Sequence, residues 1–236
     1  MILKKQRENL QRRRWNLNKK EIFLKLYRYG LIKTIKDNPE GWQLVSGVWS
    51  PFYIQLRYLP SYPRLLNEIG KMMGKEIEGN KLLGVAMAGI PIAAAISLNH
   101  GIPMCYTRKL AGVKDVDELE KYAKEYGEHS LVEGEIEDGD EFVVIDDIVT
   151  KFDSKLMAIK QLEIEAERRN KKIKCEHVAV VIDRQQGAAE VARKYGIKLH
   201  ALIKFKEAIE WIKDEMDEKE YEIIVKYLEN PEKYQK

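Results

Sequence analysis

Apolar and polar positions alternate along the chain in a way that predicts repeated strand-to-helix units. An apolar run at 82–87 precedes a Gly-Ile-Pro turn and an alanine-rich stretch, which predicts a strand and then a helix. Two similar units follow, with strands at 141–145 and 177–182 and helices at 154–170 and 188–195. Repeated units of this kind predict an α/β fold, with a mainly parallel sheet and helices on both faces. Ligands of such sheets bind beyond the carboxyl ends of the strands.

The remaining segments show shorter patterns. Apolar side chains at helical spacing predict helices at 21–35 and 62–73, and again over the C-terminal residues, about 205–236. Alternation within 41–57 predicts a short strand pair joined by a loop. Between the first two strand-to-helix units, residues 110–140 are charged and have no strong strand period until their end. A stretch of that length in a compact domain is usually a functional flap or a disordered insert.

Length and charge divide the chain into a domain and an arm. The 236 residues are 44% apolar, enough to bury one sizeable core, so we expect a single domain over 21–236. Residues 1–20 form a basic N-terminal arm, with eight basic residues, one acid and a net charge of +7. Such an arm can meet nucleic acid. A solvated or subunit-packing helix is the favoured interpretation, since no aromatic platform for single strands accompanies it.

Cysteine spacing and hydropathy suggest a cytoplasmic protein. Cys105 and Cys175 lie far apart with no CxxC pair, so the sequence predicts neither a disulfide framework nor a thiolate zinc site. The longest uncharged run, 82–98, is too short for a membrane span and is broken by glycine and proline. No apolar stretch follows the basic N-terminal residues, so we expect no secretory signal. No metal-ligand spacing is evident, and the four histidines define no site, although His129 is left open.

The strongest chemical signal lies at 142–154, where an apolar strand ends in two acids, Asp146 and Asp147. A turn bearing the hydroxyls of Thr150 and Ser154 follows and enters a helix. Carboxylates accept hydrogen bonds from sugar hydroxyls, while free backbone N–H groups and the helix dipole favour a phosphate. The residue types therefore suit a ribose phosphate, against the alternative of an ordinary strand end with a capping acid.

This stretch resembles the diphosphoribosyl-pyrophosphate motif of type I phosphoribosyltransferases. The resemblance implies that Asp146 and Asp147 hold the ribose hydroxyls and that Thr150 and Ser154 serve the 5′-phosphate. It further implies a transferase that uses diphosphoribosyl pyrophosphate, with magnesium (Mg²⁺) arriving mainly on that substrate. The family's flap reaches across a dimer interface, so the resemblance also implies a homodimer.

Four further segments resemble the orotate branch of that family. The segment 42–57 is similar to its N-terminal base-site hairpin, whose aromatic pair corresponds to Phe52 and Tyr53. The segment 84–93, with Ala88 and Gly89, is similar to its pyrophosphate loop.

The other two segments supply positive charge. Arg108, Lys109 and Lys124 are similar to residues of the mobile catalytic flap, here about 108–138, although Lys114 is an alternative to Lys124. Mobile cations of this kind would stabilise a leaving pyrophosphate, with Asp147 as a further catalytic candidate. Arg184 resembles the arginine that grips the orotate carboxylate, and its planar fork suits that role.

The chain also departs from the family pattern. The family's phosphate turn is rich in glycine, whereas Lys151, Phe152 and Asp153 stand there. We expect two of these side chains to occupy space that glycine leaves free and Asp153 to place a negative charge near the anion. Val45 stands where the family commonly has a lysine. The leading hypothesis is orotate phosphoribosyl transfer. The alternatives are a non-catalytic ligand-binding or regulatory relative and a transferase for another base.

Overall fold

The computed structural model describes residues 18–44, 47, 49–125 and 129–234. The basic arm predicted at 1–20 lies outside this part of the chain except for its last three residues, as does Val45. In the described ranges, no helix is long and apolar enough to cross a membrane.

The described residues form ten strands and eight α-helices. The strands are β1 (Ile32–Thr34), β2 (Trp42–Gln43), β3 (Trp49–Ser50), β4 (Phe52–Ile54), β5 (Lys81–Gly84), β6 (Met104–Thr107), β7 (Val132–Glu133), β8 (Glu141–Val149), β9 (Lys174–Asp183) and β10 (Lys198–Lys204). The helices are α1 (18–28), α2 (Pro63–Met73), α3 (Gly89–His100), α4 (Val116–Glu125), α5 (Asp153–Arg168), α6 (Ala188–Lys194), α7 (Phe205–Ala208) and α8 (Glu218–Glu229).

The chain divides into two compact units, Pro60–Leu202 and the segments Met1–Leu59 with Ile203–Lys236. The larger unit is built on a six-stranded sheet of order β10-β9-β8-β5-β6-β7. Strands β9, β8, β5 and β6 pair in parallel, and β7 pairs antiparallel with β6. The predicted α/β class with a mainly parallel sheet is therefore confirmed.

Helices cover both faces of this sheet. Successive side chains of a strand point to opposite faces. Phe142 and Val144 of β8 belong to a core cluster with Ala158 of α5 and Ala192 of α6. On the other face, α3 packs closely against Gly84. A Cβ at this position would lie only 3.0 Å from Cα of Ile90.

Parallel pairing brings three strand ends to one edge of the sheet, here called the carboxyl edge. Strand β5 ends at Gly84, β8 at Val149 and β9 at Asp183. The opposite edge, here called the amino edge, holds the turn at 137–140 and the first residue of β5, Lys81. Strand β8 is longer than its predicted range, 141–145, because its pairing with β9 continues as far as Val149 opposite Asp183.

The smaller unit packs around aromatic side chains. The ring centroids of Phe52 and Phe205 are 4.4 Å apart, and Phe23 meets Phe205 edge-on at 5.8 Å. The helix predicted at 21–35 is wrong at its end, because Gly30 adopts a left-handed φ of 68° and the chain then enters β1. The predicted strand pair within 41–57 forms as β2 and β3, while β4 pairs with β1.

Candidate active site

The two acids are the sixth and seventh of the nine residues of β8, toward the carboxyl edge. Asp146 is buried and Asp147 is half-buried. Asp146 Oδ1 accepts a hydrogen bond from the backbone N–H of Asp147 at 2.8 Å, and Asp147 Oδ1 accepts one from Ile148 at 2.8 Å. Both carboxylates are thus held at a defined orientation by the strand that carries them.

A buried lysine that sequence reasoning missed completes this group. Lys155, in the first turn of α5, is 3% exposed and places its Nζ 2.7 Å from Asp146 Oδ2. The same Nζ donates to the Ser154 hydroxyl at 3.1 Å and to the carbonyl of Ile148. One sequence signal pointed to it, since Lys155 falls on the same helical face as the buried Ala158, Ile159 and Leu162.

The acids carry one more negative charge than Lys155 balances. Burial, and next the charge of Asp146, raise the pKa of Asp147 to about 7, and Lys155 opposes that rise only in part. A carboxyl group that titrates near neutral pH, at the edge where ligands of such sheets bind, is a strong candidate for function.

The phosphate turn, residues 150–154, differs from the expected crowding. Phe152 has a left-handed φ of 85°, and its ring is only 1% exposed because it packs into the core cluster with Val149 and Ala188. The expectation that Phe152 fills the space of the anion is therefore wrong. Lys151 and Asp153 are exposed.

The same turn leads into α5, which begins at Asp153. Backbone N–H groups in the first turn of a helix have no acceptor within that helix. Those of the phosphate turn therefore remain suited to an anion, together with the exposed hydroxyl of Ser154 and that of the half-buried Thr150.

The segment predicted as a pyrophosphate loop lies against the acid pair. Val85 donates its backbone N–H to the carbonyl of Ile145 at 2.9 Å, and Ala86 donates to the Thr107 hydroxyl at 2.9 Å. A Cβ on Gly89 would lie 2.2 Å from the Ile145 carbonyl oxygen, a distance that excludes any side chain. Ala88 is buried before α3, and the peptide bond between Ala86 and Met87 is cis. Glycine at 89 thus permits the loop to approach β8.

Arg184 follows directly on β9, at the same edge as the acids. Its backbone N–H donates to the carbonyl of Val149 at 3.0 Å, and the residue is 7% exposed. The structure therefore brings together five of the predicted site residues at the carboxyl edge: Asp146, Asp147, Ser154, Gly89 and Arg184.

The predicted flap, 108–138, is more ordered than a plain loop. It contains α4, whose buried Leu119 and Ala123 pack with Leu131 and with Met157 and Ile164 of α5. It also contains β7, which pairs with β6 at the end of the sheet. The part at 131–133 is thus integral to the fold, and movement of the rest stays a prediction.

The predicted catalytic cations lie at different places along this segment. Arg108 follows β6, with Nη1 3.6 Å from Glu133 Oε1, and Lys109 beside it is exposed. Lys124 lies at the end of α4, where the carbonyl of the neighbouring Ala123 accepts from Arg168 at the far end of α5. Since α5 rises about 1.5 Å per residue over its 16 residues, Lys124 lies roughly 20 Å along that helix from the phosphate turn. The structure does not bring Lys124 to the acids of its own chain.

Lys114 precedes α4 and so lies at the opposite end of that helix from Lys124. Glu120 of that helix pairs with Lys160 of α5 at 2.9 Å, so α4 runs toward the far end of α5 as it proceeds. Lys114, which precedes α4, is therefore nearer than Lys124 to the phosphate turn, and the choice between the two lysines stays open.

The aromatic pair predicted for the base differs in exposure. Phe52 is 1% exposed and its ring is committed to packing against Phe205 and Tyr227. Tyr53 is half-buried and stacks on Trp42, with centroids 6.0 Å apart. Of the two rings, only that of Tyr53 has surface left for a ligand.

No group of three or more histidine, cysteine, aspartate or glutamate side chains is arranged to hold a metal ion within the described residues. The backbone carbonyl of His129, the histidine that the sequence left open, accepts a hydrogen bond from Arg168 at 3.1 Å.

A parallel sheet with paired acids at the end of a central strand, a hydroxyl-bearing turn and a close-packed loop beside them defines the type I phosphoribosyltransferase class. No family model matches the chain. The chain is 32% identical to the orotate phosphoribosyltransferase of Thermoplasma volcanium over 164 residues, which cover 70% of this chain and 87% of that protein. It is also 32% identical to that of Methanocaldococcus jannaschii over 166 residues, 70% of this chain and 84% of the relative.

A solved structure is similar in fold. The crystal structure of orotate phosphoribosyltransferase from Aeropyrum pernix matches with a TM-score of 0.62 and 25% identity, over 80% of this chain and 96% of that one. The chain therefore belongs to the orotate phosphoribosyltransferase family.

Proposed function

We propose that this protein is an orotate phosphoribosyltransferase, which transfers ribosyl 5-phosphate from diphosphoribosyl pyrophosphate to orotate and releases pyrophosphate. The observation that carries the proposal is the acid pair on β8, followed by the phosphate turn, in a chain 32% identical to orotate phosphoribosyltransferases over 70% of its length. In the reaction, the bond from C1 of the ribose to the pyrophosphate oxygen breaks and a bond from C1 to a ring nitrogen of orotate forms.

The carboxyl edge supplies groups for each part of the donor substrate. Asp147, with Asp146 beside it, would accept hydrogen bonds from the ribose hydroxyls. The first turn of α5, with Thr150 and Ser154, would bind the 5-phosphate. The close-packed segment 85–89 would receive the pyrophosphate. The chain's contribution is positioning and charge stabilisation, since no covalent intermediate with a side chain is required.

Magnesium belongs to the proposal as a partner of the pyrophosphate. The described residues offer it no three-ligand cluster, and Asp147 is a half-buried carboxylate at the carboxyl edge. This arrangement fits an ion that reaches the site on substrate oxygens and retains several waters. When bound, magnesium would neutralise charge on the leaving pyrophosphate.

We also propose a homodimer and a cytoplasmic location. Lys124 lies roughly 20 Å along α5 from the turn of its own chain, so a catalytic Lys124 would have to act in a partner's site. Both cysteines are free, which suits a reducing compartment.

Arg184 is proposed to bind the orotate carboxylate through its planar guanidinium. We expect Arg184→Ala to weaken orotate binding by roughly 10- to 100-fold and to change diphosphoribosyl pyrophosphate binding far less, since a charge-assisted pair contributes about 1.5–3 kcal/mol. Isothermal titration calorimetry with each ligand measures both effects. Equal losses for the two ligands would contradict this division of roles.

The proposed function itself is tested by orotate consumption, followed by its ultraviolet absorbance, with and without diphosphoribosyl pyrophosphate and magnesium. Consumption that requires both supports the proposal. If the chain binds diphosphoribosyl pyrophosphate but consumes no orotate, the same assay with other nucleobases distinguishes a transferase of different specificity from a non-catalytic relative.

A further inference from the structure

Lys155 is a buried cation inside the ribose-phosphate site, and its three donors are all used. They reach Asp146 Oδ2 at 2.7 Å, the Ser154 hydroxyl at 3.1 Å and the Ile148 carbonyl. These acceptors belong to the acid pair, the phosphate turn and the strand end. A single ammonium group therefore connects the part of the site suited to ribose with the part suited to phosphate.

Lys155 forms its ion pair with Asp146, so the two acids differ in how many of their oxygens are occupied. Asp146 has one oxygen on Lys155 and the other on the backbone N–H of Asp147 at 2.8 Å, and it is only 6% exposed. Asp147 is half-buried, and one of its oxygens accepts the backbone N–H of Ile148 at 2.8 Å. Of the two carboxylates, Asp147 therefore has the greater capacity to accept hydrogen bonds from a ligand.

Lys155 also restricts the Ser154 hydroxyl by donating to its oxygen. Because the oxygen of Ser154 accepts from Lys155, its own hydrogen points elsewhere, and Ser154 is exposed. That hydroxyl is thus prepared to donate to an anion at the first turn of α5.

We propose that Lys155 is a positioning residue of the ribose-phosphate site, which anchors Asp146 and orients Ser154 so that Asp147 and the Ser154 hydroxyl receive the ligand. The inference rests on the proposed function, because it assumes that diphosphoribosyl pyrophosphate binds at the carboxyl edge. Lys155 touches the groups that hold the ligand and acts through them.

The chain offers a matched control at the amino edge. Lys81 is also a buried lysine, with its Nζ 3.0 Å from Asp140 Oδ2 and 3.1 Å from the carbonyl of Glu135. Lys81→Met and Lys155→Met thus each remove one buried ammonium that has an aspartate partner and a carbonyl partner. Only the second variant changes the proposed site.

The test compares the affinity of these two variants for diphosphoribosyl pyrophosphate by calorimetry. We expect Lys155→Met to weaken binding by roughly tenfold or more, and Lys81→Met by less than about twofold. In the turnover assay, Lys155→Met should raise KM for diphosphoribosyl pyrophosphate much more than it lowers kcat, a split that general loosening of the fold does not predict. Equal losses of affinity in the two variants would overturn the proposal.

Lys155→Met leaves Asp146 buried without its cation, and this single variant can fail to fold. In that case a second pair of variants tests the proposal. Asp146→Asn and the double variant Asp146→Asn with Lys155→Met avoid the unpaired charge. Because Lys155 acts mainly through Asp146, the double variant should bind within roughly threefold of Asp146→Asn alone. A further tenfold loss would mean that Lys155 contacts the ligand directly, and the proposal would be wrong.

The outcomes separate this inference from the proposed function. Binding of diphosphoribosyl pyrophosphate without orotate turnover overturns the proposed function alone. Binding that is equally weak in Lys155→Met and Lys81→Met overturns the role of Lys155 alone. If the unaltered chain does not bind diphosphoribosyl pyrophosphate, both proposals are wrong.

Discussion

The two edges of the central sheet each hold a buried lysine–aspartate pair, but they differ in charge balance. At the amino edge, Lys81 and Asp140 are each 8% exposed at the side chain and lie 3.0 Å apart. Asp140 also accepts the backbone N–H of Glu137 at 2.8 Å, so this pair is closed by hydrogen bonds within the chain. One cation there meets one carboxylate.

At the carboxyl edge, Lys155 faces two neighbouring acids. Asp146 takes the ion pair, and Asp147 is left with its pKa raised to about 7 by burial and by the charge of Asp146. A second carboxylate in such a place lowers stability at neutral pH and adds no ion pair. Its presence supports the proposal that the carboxyl edge binds a ligand, whereas the pair at the amino edge is balanced within the chain.

The turns at the two edges also differ, in the residue type that adopts a left-handed backbone conformation. Gly139 before β8 and Phe152 after it both have a φ of 85°. Glycine adopts that conformation without steric cost, but phenylalanine does not. At the carboxyl edge, the unfavourable backbone is held by burial of the Phe152 ring in the core. The strained conformation is thus at the edge where we propose that the ligand binds.

The comparison of edges is tested most directly by removing the acids. Asp146→Asn with Asp147→Asn should reduce affinity for diphosphoribosyl pyrophosphate by roughly a hundredfold or more, because each charged acceptor contributes about 1.5–3 kcal/mol. The matched control, Lys81→Met with Asp140→Asn, removes a balanced pair at the amino edge and should change affinity by less than about twofold. Calorimetry on folded protein measures both. Similar losses in the two double variants would end the functional distinction between the edges.

Phe152→Gly should destabilise the fold by roughly 2–3 kcal/mol. Loss of a buried phenyl group costs about 3–5 kcal/mol, and release of the left-handed conformation returns about 1–2 kcal/mol. Chemical denaturation gives the free energy of unfolding. Gly139→Ala isolates the backbone effect, since its Cβ would meet nothing within 4 Å. If Phe152→Gly is neutral or stabilising, the ring does not anchor the turn.

Asp147→Asn should stabilise the fold above neutral pH, although loss of the Asp147 charge weakens binding of diphosphoribosyl pyrophosphate. The pKa of Asp147 is raised from 3.8 to about 7, so the folded chain holds a proton that the unfolded chain releases between those values. The contribution of Asp147 to the free energy of unfolding is therefore fully present below its unfolded pKa of 3.8, and it is lost as the pH rises through about 7. At pH 8, we expect Asp147→Asn to unfold with a free energy higher by roughly 1–2 kcal/mol, while at pH 4 the difference should be small. Asp140→Asn should show no such gain, since its partner Lys81 would lose its counter-ion.

The sequence predicted the parts of the fold that long apolar runs determine. Strands β5, β8 and β9, and the helices that follow them, were found because their side chains are buried on both sides. Strands β6, β7 and β10 were missed. The first two have four and two residues, and strands so short are held by their neighbours more than by their own pattern.

The candidate site was predicted where adjacent residues carry the chemistry, as with Asp146, Asp147 and Ser154. It was missed where the backbone decides the contact. Lys155 reaches Asp146 across nine residues only because the phosphate turn reverses the chain. The inward direction of Phe152 depends on a φ that this residue type rarely adopts, so its burial could not be read from the sequence.

The smallest expected effect concerns Asp153, the exposed acid that begins α5 beside the proposed phosphate position. Its carboxylate repels an anion bound at that helix end, but an exposed charge contributes at most about 1 kcal/mol. Asp153→Gly should therefore tighten diphosphoribosyl pyrophosphate binding by roughly two- to fivefold at low salt, and by less at high salt because ions screen the repulsion. Glu137→Gln removes an exposed acid at the amino edge and should leave affinity unchanged, so that a loss of net charge alone is distinguished from a loss of local repulsion. Calorimetry at two salt concentrations measures the difference. If Asp153→Gly binds no better than the unaltered chain, the acid does not oppose the ligand, and the phosphate turn is adapted to it as it stands.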